Sequence, residues 1–296
     1  MRTSQEMLAL FKRLARADER IRVLTLEGSR VNPHAAPDVW QDYDVTFLVT
    51  DVGSFTRSEE WLDVFGDRIF LQKPEAMELF PPDFPSGWFS YLMLFSDGGK
   101  IDLTLIPIED LQTYLDREPL VQILLDKDGR CPALPAPSDR HFWLQKPSAA
   151  FVRDSANEFV LACTHVAKGL LREQLLCANW FFQQIVQVEL RRMLGYLAGA
   201  RTGFPVNLGK HDKWLPRFLT GGEWERLRKT YRLDSVDAAW SALDGAMELF
   251  ESALAEVASA LGCDCPDDLE RGREYLKALR GMGGPAGRGG HPTLFE

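Results

Sequence analysis

The chain has 296 residues, of which 45% are hydrophobic and 26% are charged, a composition typical of a globular protein. It carries 34 basic and 43 acidic residues, so its formal net charge is −9. This charge argues against broad nucleic-acid binding, which needs a basic surface, and is compatible with a small cationic substrate. At about 100–200 residues per domain, the length predicts two domains.

The sequence shows no pattern typical of a membrane span, a signal peptide or a disulfide framework. No apolar run approaches the ~18 residues of a membrane span, and residues 1–20 are amphipathic and charged, unlike a signal peptide. The cysteines are odd in number and irregularly spaced, which does not match a disulfide framework or a zinc site; they are Cys131, Cys163, Cys177, Cys263 and Cys265. We therefore expect a reduced, cytoplasmic protein with no membrane or nucleic-acid partner.

The first half of the chain alternates between helix and strand patterns. The predicted elements are a helix over 3–17, strands over 22–27 and 44–49, a helix over 55–65, and a strand over 68–71. Two further strands, 90–95 and 100–106, flank Asp97-Gly98-Gly99, which is a strong hairpin signal. Residues 1–135 are therefore predicted to form a mixed α/β domain with about five strands.

The second half is predicted to be helical. Several prolines between 132 and 147 indicate a linker. From residue 148 onward the apolar residues follow helical spacing, as in Phe159, Cys163, Val166 and Leu170. Further helices are predicted over 174–200, 223–231, 236–261 and 267–280. The predicted fold class is α+β, with a helical bundle over 148–280 and a Gly/Pro-rich disordered tail over 281–296.

Three carboxylates stand at strand positions where carboxylates are unusual. Asp42 and Asp44 are two residues apart at the start of a predicted strand, so their side chains share one face. Asp102 lies within an apolar strand, where a carboxylate is costly unless it is paired, protonated or bound to a metal. Converging carboxylates suit Mg²⁺, which prefers oxygen ligands. We therefore predict a magnesium site.

A second motif, Gly28-Ser29-Arg30, follows the first predicted strand. The glycine permits close approach to a phosphate, and the serine hydroxyl, the backbone amides and the arginine can donate to it. A loop joins this turn to Asp42, so phosphates held by the turn would lie near metals held by the carboxylates. Phosphoryl or nucleotidyl transfer needs this arrangement. Each motif alone also occurs in ordinary turns and solvated strand edges, whereas their combination is more specific.

The combination of Gly-Ser, Asp-x-Asp and a later strand aspartate resembles the polymerase-β-like nucleotidyltransferases. Longer stretches, such as EGSRVNPHAAPDVWQDYDVTFLVTD and FSYLMLFSDGGKIDLTLIP, resemble the aminoglycoside 6-adenylyltransferases. That resemblance covers about residues 1–280. It implies a polymerase-β-like nucleotidyltransferase domain followed by a helical domain, with the site between them.

The resemblance also implies an activity. The family transfers AMP from ATP to the 6-hydroxyl of streptomycin, using Mg²⁺, with two ions expected. Asp42 and Asp44 match the paired metal ligands, and Asp102 matches a third carboxylate that is a metal ligand, the general base, or both. Gly28 and its two neighbours, Ser29 and Arg30, match the triphosphate-binding turn.

The first predicted helix of the second half carries a polar stripe. We hypothesise that Lys168 and Arg172 reach the ATP phosphates, while Asp154 and Glu158 face the guanidinium groups of the substrate. Lys210, beside a glycine in a loop, is a further candidate phosphate ligand. The plain alternative is that the stripe is a solvated helix face.

Other functions stay open at this point. The same fold could act on another acceptor: a different aminoglycoside, a nucleotide or a protein. It could also be a non-catalytic nucleotide-binding relative, although the presence of all three carboxylates counts against this. The sequence leaves the oligomeric state open, with a monomer favoured.

Overall fold

The computed structural model describes residues 2–79, 83–265 and 268–281. The tail predicted over 281–296 lies outside the described residues from position 282 onward. The described part confirms the predicted α+β class, with a mixed sheet in the first half and helices in the second.

The N-terminal unit, Met1–His141, is organised by a six-stranded sheet with strand order β3-β4-β5-β2-β1-β6. The strands are β1 (Ile21–Glu27), β2 (Tyr43–Val49), β3 (Arg68–Gln72), β4 (Phe89–Phe95), β5 (Lys100–Pro107) and β6 (Val121–Asp126). The central pair, β2 and β5, is parallel, and every other pair is antiparallel. The parallel register places Asp44 level with Asp102.

Three helices accompany this sheet: α1 (Ser4–Ala17), α2 (Gly53–Thr56) and α3 (Leu111–Arg117). Helix α1 begins at a capping box of Thr3 and Glu6, in which each side chain accepts a hydrogen bond from the other residue's backbone amide. Its apolar face packs Met7, Leu10 and Phe11 into the sheet core. Burial of this face holds the amphipathic helix against the sheet.

The predicted strands of the first half are confirmed to within one residue at each end, and the predicted first helix likewise. The helix predicted over 55–65 is wrong as a single element. It consists of α2 and a separate 3₁₀ helix, Glu60–Phe65. The Phe55 carbonyl accepts hydrogen bonds from the Trp61 indole at 2.9 Å and from the Tyr91 hydroxyl at 3.3 Å, both of them side-chain donors.

The prediction of about five strands missed β6, and α3 before it. Strand β6 lies at the edge of the sheet, and only its first residue is fully buried. Its apolar run Val121-Gln-Ile-Leu-Leu therefore shows no alternation between buried and exposed positions. Without that period of two, a strand cannot be recognised by its pattern.

The helical unit, Phe142–Glu296, contains six α-helices among its described residues. They are α4 (Ala149–Leu171), α5 (Leu175–Phe181), α6 (Gln187–Thr202), α7 (Gly221–Lys229), α8 (Val236–Leu261) and α9 (Asp268–Gly281). The rings of Phe159 and Phe250 stack with their centroids 3.8 Å apart, which joins α4 to α8. The four apolar residues predicted to share one face of α4 are all buried.

The helix predicted over 174–200 is interrupted. Helices α5 and α6 are joined by a π-helical turn, Phe182–Val186, which inserts an extra residue into the helical repeat. None of the helices in the ranges described above is long and apolar enough to cross a bilayer.

Candidate active site

The three predicted carboxylates meet where β2 and β5 begin. Asp44 and Asp102 are register partners on these neighbouring strands, and Asp42 immediately precedes β2. Between two of them lies a lysine that the sequence analysis did not include. The Lys100 ammonium donates hydrogen bonds of 2.7 Å to Oδ2 of Asp42 and of 2.7 Å to Oδ2 of Asp102. Asp42, Asp44 and Asp102 are referred to as the carboxylate cluster.

Asp44 shows the effect of crowding negative charge. Burial, together with the negative charges of Asp102, Glu27 and Asp42, raises the pKa of Asp44 to about 6, although the positive charge of Lys100 opposes the rise. A carboxyl group surrounded by other carboxylates keeps its proton more readily. The cluster therefore holds more negative charge than one ammonium offsets, and binding of a cation is favoured there.

Two further acidic residues lie behind the cluster. Glu27, the last residue of β1, accepts a hydrogen bond from the Thr25 hydroxyl at 3.1 Å and another from the Tyr114 hydroxyl. Burial raises the pKa of Glu27. Burial, together with the charge of Glu27, raises the pKa of Glu118 to about 7. Neither residue was predicted, although the argument applied to Asp102, that a carboxylate in an apolar strand is costly, would have found Glu27 at the end of β1.

The turn after β1 approaches the cluster closely. Gly28–Arg30 forms a short 3₁₀ turn, and Gly28 has a φ of +66°, a conformation that favours glycine. A Cβ atom at Gly28 would lie 2.5 Å from Oδ2 of Asp44, so the missing side chain also makes room for that carboxylate. The Gly28 amide donates to the Leu120 carbonyl at 3.0 Å. The predicted phosphate contacts therefore fall to the Ser29 hydroxyl and the later amides of the turn, and they stay a prediction.

Arg30 is engaged with the protein itself. Its guanidinium donates to the carbonyl of Asp42 at 2.8 Å and to that of Gln41 at 2.6 Å. It also lies over the Tyr43 ring, 3.5 Å from the centroid. These contacts fix the backbone that carries Asp42. A phosphate contact by Arg30 stays a prediction, and the geometry adds a positioning role that sequence reasoning did not foresee.

A cavity of about 500 Å³ opens beside Asp42 and Lys100. Its other walls come from the start of α1, the loop before β2 and the turn between β4 and β5. Trp40, in that loop, is 82% exposed. Lys100 therefore borders open space.

The donor chemistry of the cluster fits magnesium. Oδ1 of Asp102 is buried with no hydrogen-bond partner among the described residues, and carboxylate oxygens are the ligands that Mg²⁺ prefers. Over residues 2–79, 83–265 and 268–281, no three His, Cys, Asp or Glu side chains are already arranged to hold a metal. In this arrangement, the Lys100 ammonium lies between Asp42 and Asp102. The ligand chemistry of the three carboxylates thus suits Mg²⁺, while in this arrangement the Lys100 ammonium occupies part of the cluster.

The other predicted ligands belong to the helical unit. Asp154 and Glu158 are exposed on α4, Lys168 is half-buried near its end, and Arg172 is exposed just beyond it. The predicted polar stripe is therefore accessible to solvent. Roles for these four residues in binding ATP or an acceptor stay predictions.

Lys210 stands in an unusual turn. Gly209 before it has a φ of +73°, and His211 and Asp212 after it also have positive φ values of 57° and 62°. Non-glycine residues rarely adopt this conformation, which requires surrounding structure to hold it. Asp212 is held by an ion pair of 2.9 Å with Arg191. Lys210 is exposed in this constrained turn, and its contact with phosphate stays a prediction.

The chain is similar to proteins of one kind along almost its whole length. A family model described as Streptomycin adenylyltransferase matches residues 1–279. An aminoglycoside 6-adenylyltransferase of Bacillus subtilis is 41% identical over 280 residues, which are 94% of this chain and 98% of the relative. One of Campylobacter jejuni is 45% identical over 266 residues, which are 90% and 92% of the two chains.

A solved structure is similar as well. The crystal structure of an aminoglycoside 6-adenyltransferase from Bacillus subtilis shares 38% identity with this chain. The match covers 95% of this chain and 99% of that one, with a TM-score of 0.47.

Proposed function

The chain belongs to the streptomycin adenylyltransferase family, and on that premise we propose that it transfers AMP from ATP to the 6-hydroxyl of streptomycin, releasing pyrophosphate. The observation that carries the proposal is the carboxylate cluster, which adjoins the turn at Gly28. Nucleotidyl transfer depends on positioning the phosphates and on neutralising their charge. A cytoplasmic location, where ATP is present, belongs to the same proposal.

The turn and the cluster have complementary tasks. Because Gly28 lacks a side chain, the Asp44 carboxylate lies close to the start of the turn. A phosphate held by the later amides of the turn and by the Ser29 hydroxyl would lie beside the carboxylates. Asp42, Asp44 and Asp102 would hold magnesium. When bound, magnesium would offset the negative charge that the phosphates and carboxylates bring together.

The attacking hydroxyl must lose its proton. Its oxygen bonds to the α-phosphorus, and the bond between that phosphorus and the bridging oxygen of pyrophosphate breaks. Asp102 has a second oxygen, Oδ1, with no partner among the described residues. We assign this carboxylate the role of accepting the proton, in addition to holding the metal.

The helical unit supplies the remaining contacts in this proposal. Lys168, Arg172 and Lys210 would bind the triphosphate, because their charges oppose those of its oxygens. Asp154 and Glu158 would bind the guanidinium groups of streptomycin, which pair with carboxylates through two parallel hydrogen bonds. The exposure of Asp154 and Glu158 on α4 supports this assignment.

Pyrophosphate release from ATP and Mg²⁺ tests the proposal. We expect release with streptomycin and none with spectinomycin, kanamycin or no acceptor. Mass spectrometry and NMR of the product then locate the adenylyl group. Absence of release with every aminoglycoside, from protein shown to bind ATP, would contradict the proposed acceptor and direct the search to nucleotides and proteins.

A further inference from the structure

Lys100 occupies the place of a cation inside the candidate active site. Its ammonium bonds to Asp42 and Asp102 at 2.7 Å each, and these are two of the three carboxylates assigned to magnesium. We propose that Lys100 is a positioning residue that acts as an internal counter-ion. It holds Asp42 and Asp102 together in the metal-free enzyme and leaves them when a divalent cation binds. The inference rests on the metal role of the carboxylates in the proposed function.

The first argument is that the cluster needs such a counter-ion. Asp42 belongs to the loop before β2, while Asp102 belongs to β5, so no single element holds the two carboxylates in place. The negative charges of Asp42 and Asp102 already act on Asp44, and like charges at such a site destabilise the folded state. Lys100 is two residues from Asp102 on the same strand face, which brings its ammonium over the cluster.

The second argument is that the Lys100 side chain can move away from the two carboxylates. Its side chain is 37% exposed, and it lines the cavity of about 500 Å³, which offers space for a new position. A lysine carries a compact charge on a flexible four-carbon stem, whereas an arginine is planar and makes several fixed bonds. Arg30, which bonds two loop carbonyls, is of the fixed kind. Lys100, which contacts the carboxylates, has the flexible type of side chain.

The reactivity of the Lys100 amine provides a direct test. The full-length protein is treated briefly with acetic anhydride, in EDTA or with Mg²⁺ or Mn²⁺, and acetylation at each lysine is measured by mass spectrometry. Lys73 is a matched control, because it pairs with Glu59 and its side chain is 39% exposed. We expect the cations to raise acetylation of Lys100 several-fold and to leave Lys73 unchanged. Constant acetylation of Lys100, while electron paramagnetic resonance shows bound Mn²⁺, would overturn the inference.

Metal affinity gives an independent reading. If Lys100 competes with the cation, K100Q binds Mn²⁺ about tenfold more tightly than the wild type, whereas K73Q does not. The gain should persist at raised salt, which screens exposed, distant charges. K100Q should also melt at a lower temperature in EDTA and recover when Mg²⁺ is added. Weaker Mn²⁺ binding by K100Q would mean that Lys100 helps to build the metal site, contrary to the inference.

The same measurements separate this inference from the proposed function. Binding of Mn²⁺ that D44N abolishes, combined with constant labelling of Lys100, refutes the inference and leaves the metal role intact. Absence of Mn²⁺ binding in the wild type and in K100Q alike refutes the metal role of the carboxylates, and the inference with it. Binding in K100Q alone supports the inference.

Discussion

Carboxylates serve opposite purposes in the two units. In the helical unit, hydrogen bonds from the Arg201 guanidinium lower the pKa of Glu223 to about 2. Glu223 also accepts a hydrogen bond from the Thr220 amide at 2.7 Å, which caps α7. In the N-terminal unit, burial raises the pKa of Asp44 to about 6. Glu223 is paired with a guanidinium group, whereas Asp44 is surrounded by more negative than positive charge.

The two arrangements indicate different roles. The pairing of Glu223 stabilises the fold, whereas the carboxylate cluster is suited to binding a ligand. Arg201 bonds Glu223 through two nitrogens, at 3.0 and 2.8 Å, and also bonds Glu256. Such a planar, multiply bonded pair fixes the structure. The carboxylate cluster is instead paired with the flexible side chain of Lys100. A group of half-buried carboxylates with too few positive partners marks a place where a ligand can complete the structure.

The largest effect is expected from Asp44→Asn. Removing this carboxylate takes away a proposed metal ligand, so turnover should fall on the order of a thousandfold, while the circular dichroism spectrum stays unchanged. Pyrophosphate release with streptomycin measures the loss. Asp51→Asn, at an exposed aspartate beyond β2, serves as the control. If Asp44→Asn kept most of its activity, the carboxylate cluster, despite its excess negative charge, would not be needed for turnover.

Gly28→Ala should have the next largest effect. Its Cβ would lie 2.5 Å from Oδ2 of Asp44, so the carboxylate or the turn must shift. A displacement of this size can lower turnover about a hundredfold. Gly129→Ala is a matched control, because Gly129 has nearly the same φ, +65°, with nothing within 4 Å of the added carbon. Equal losses in both variants would assign the effect to backbone strain instead of to contact with Asp44.

Glu223→Gln should mainly affect stability. It removes the charge that Arg201 bonds, and we expect the free energy of unfolding to fall by about 1–3 kcal/mol at pH 7. Glu225→Gln, at an exposed pair with Arg228, should cost less than about 0.5 kcal/mol. Urea denaturation compares the two. Because the folded pKa of Glu223 is lowered, its contribution is present above about pH 4.5 and is lost as the pH falls toward 2.

Asp44 should show the reverse dependence on pH. Its folded pKa, about 6, lies above the ordinary value of 3.8. Its contribution to stability is therefore full below about pH 3.8 and is lost as the pH rises through 6. In metal-free buffer at pH 8, Asp44→Asn should accordingly be more stable than the wild type by about 1–2 kcal/mol, with the difference vanishing near pH 4. Equal stability of Asp44→Asn and the wild type at pH 8 would show that the ionised Asp44 carboxylate does not destabilise the fold.

The smallest effects concern α4. We expect Lys168→Ala to raise the KM for ATP about five- to tenfold, and Glu158→Ala to raise the KM for streptomycin by a similar factor, each the loss of one exposed charged contact. Steady-state kinetics with each substrate varied in turn separates the two effects. Lys229→Ala, on the exposed last turn of α7, should change neither constant. Unchanged kinetics in both test variants would reduce the stripe to a solvated helix face.

Sequence reasoning picked out residues that the structure brings together where the residue type was unusual for its position. The carboxylates Asp42, Asp44 and Asp102 were recognised because they interrupt or precede apolar strands. Strand β6 was missed because its half-exposed residues carry no alternation. Lys100 was missed because a lysine at a strand end is common. Its significance depends on the register of β2 with β5, which local patterns do not contain.

The parallel pairing of β2 with β5 also leads to an expectation about the order of folding events. The Lys100–Asp42 contact joins residues 58 positions apart, whereas β4 and β5 meet through a short turn. Closing a long loop costs more chain entropy than closing a short one, and distant pairings form more slowly. We therefore expect a refolding chain to complete the β4–β5 hairpin before the carboxylates come together. A nascent chain that ends before β5 lacks Lys100 and Asp102, so the contact between Lys100 and Asp42 can serve as a late reporter of correct folding.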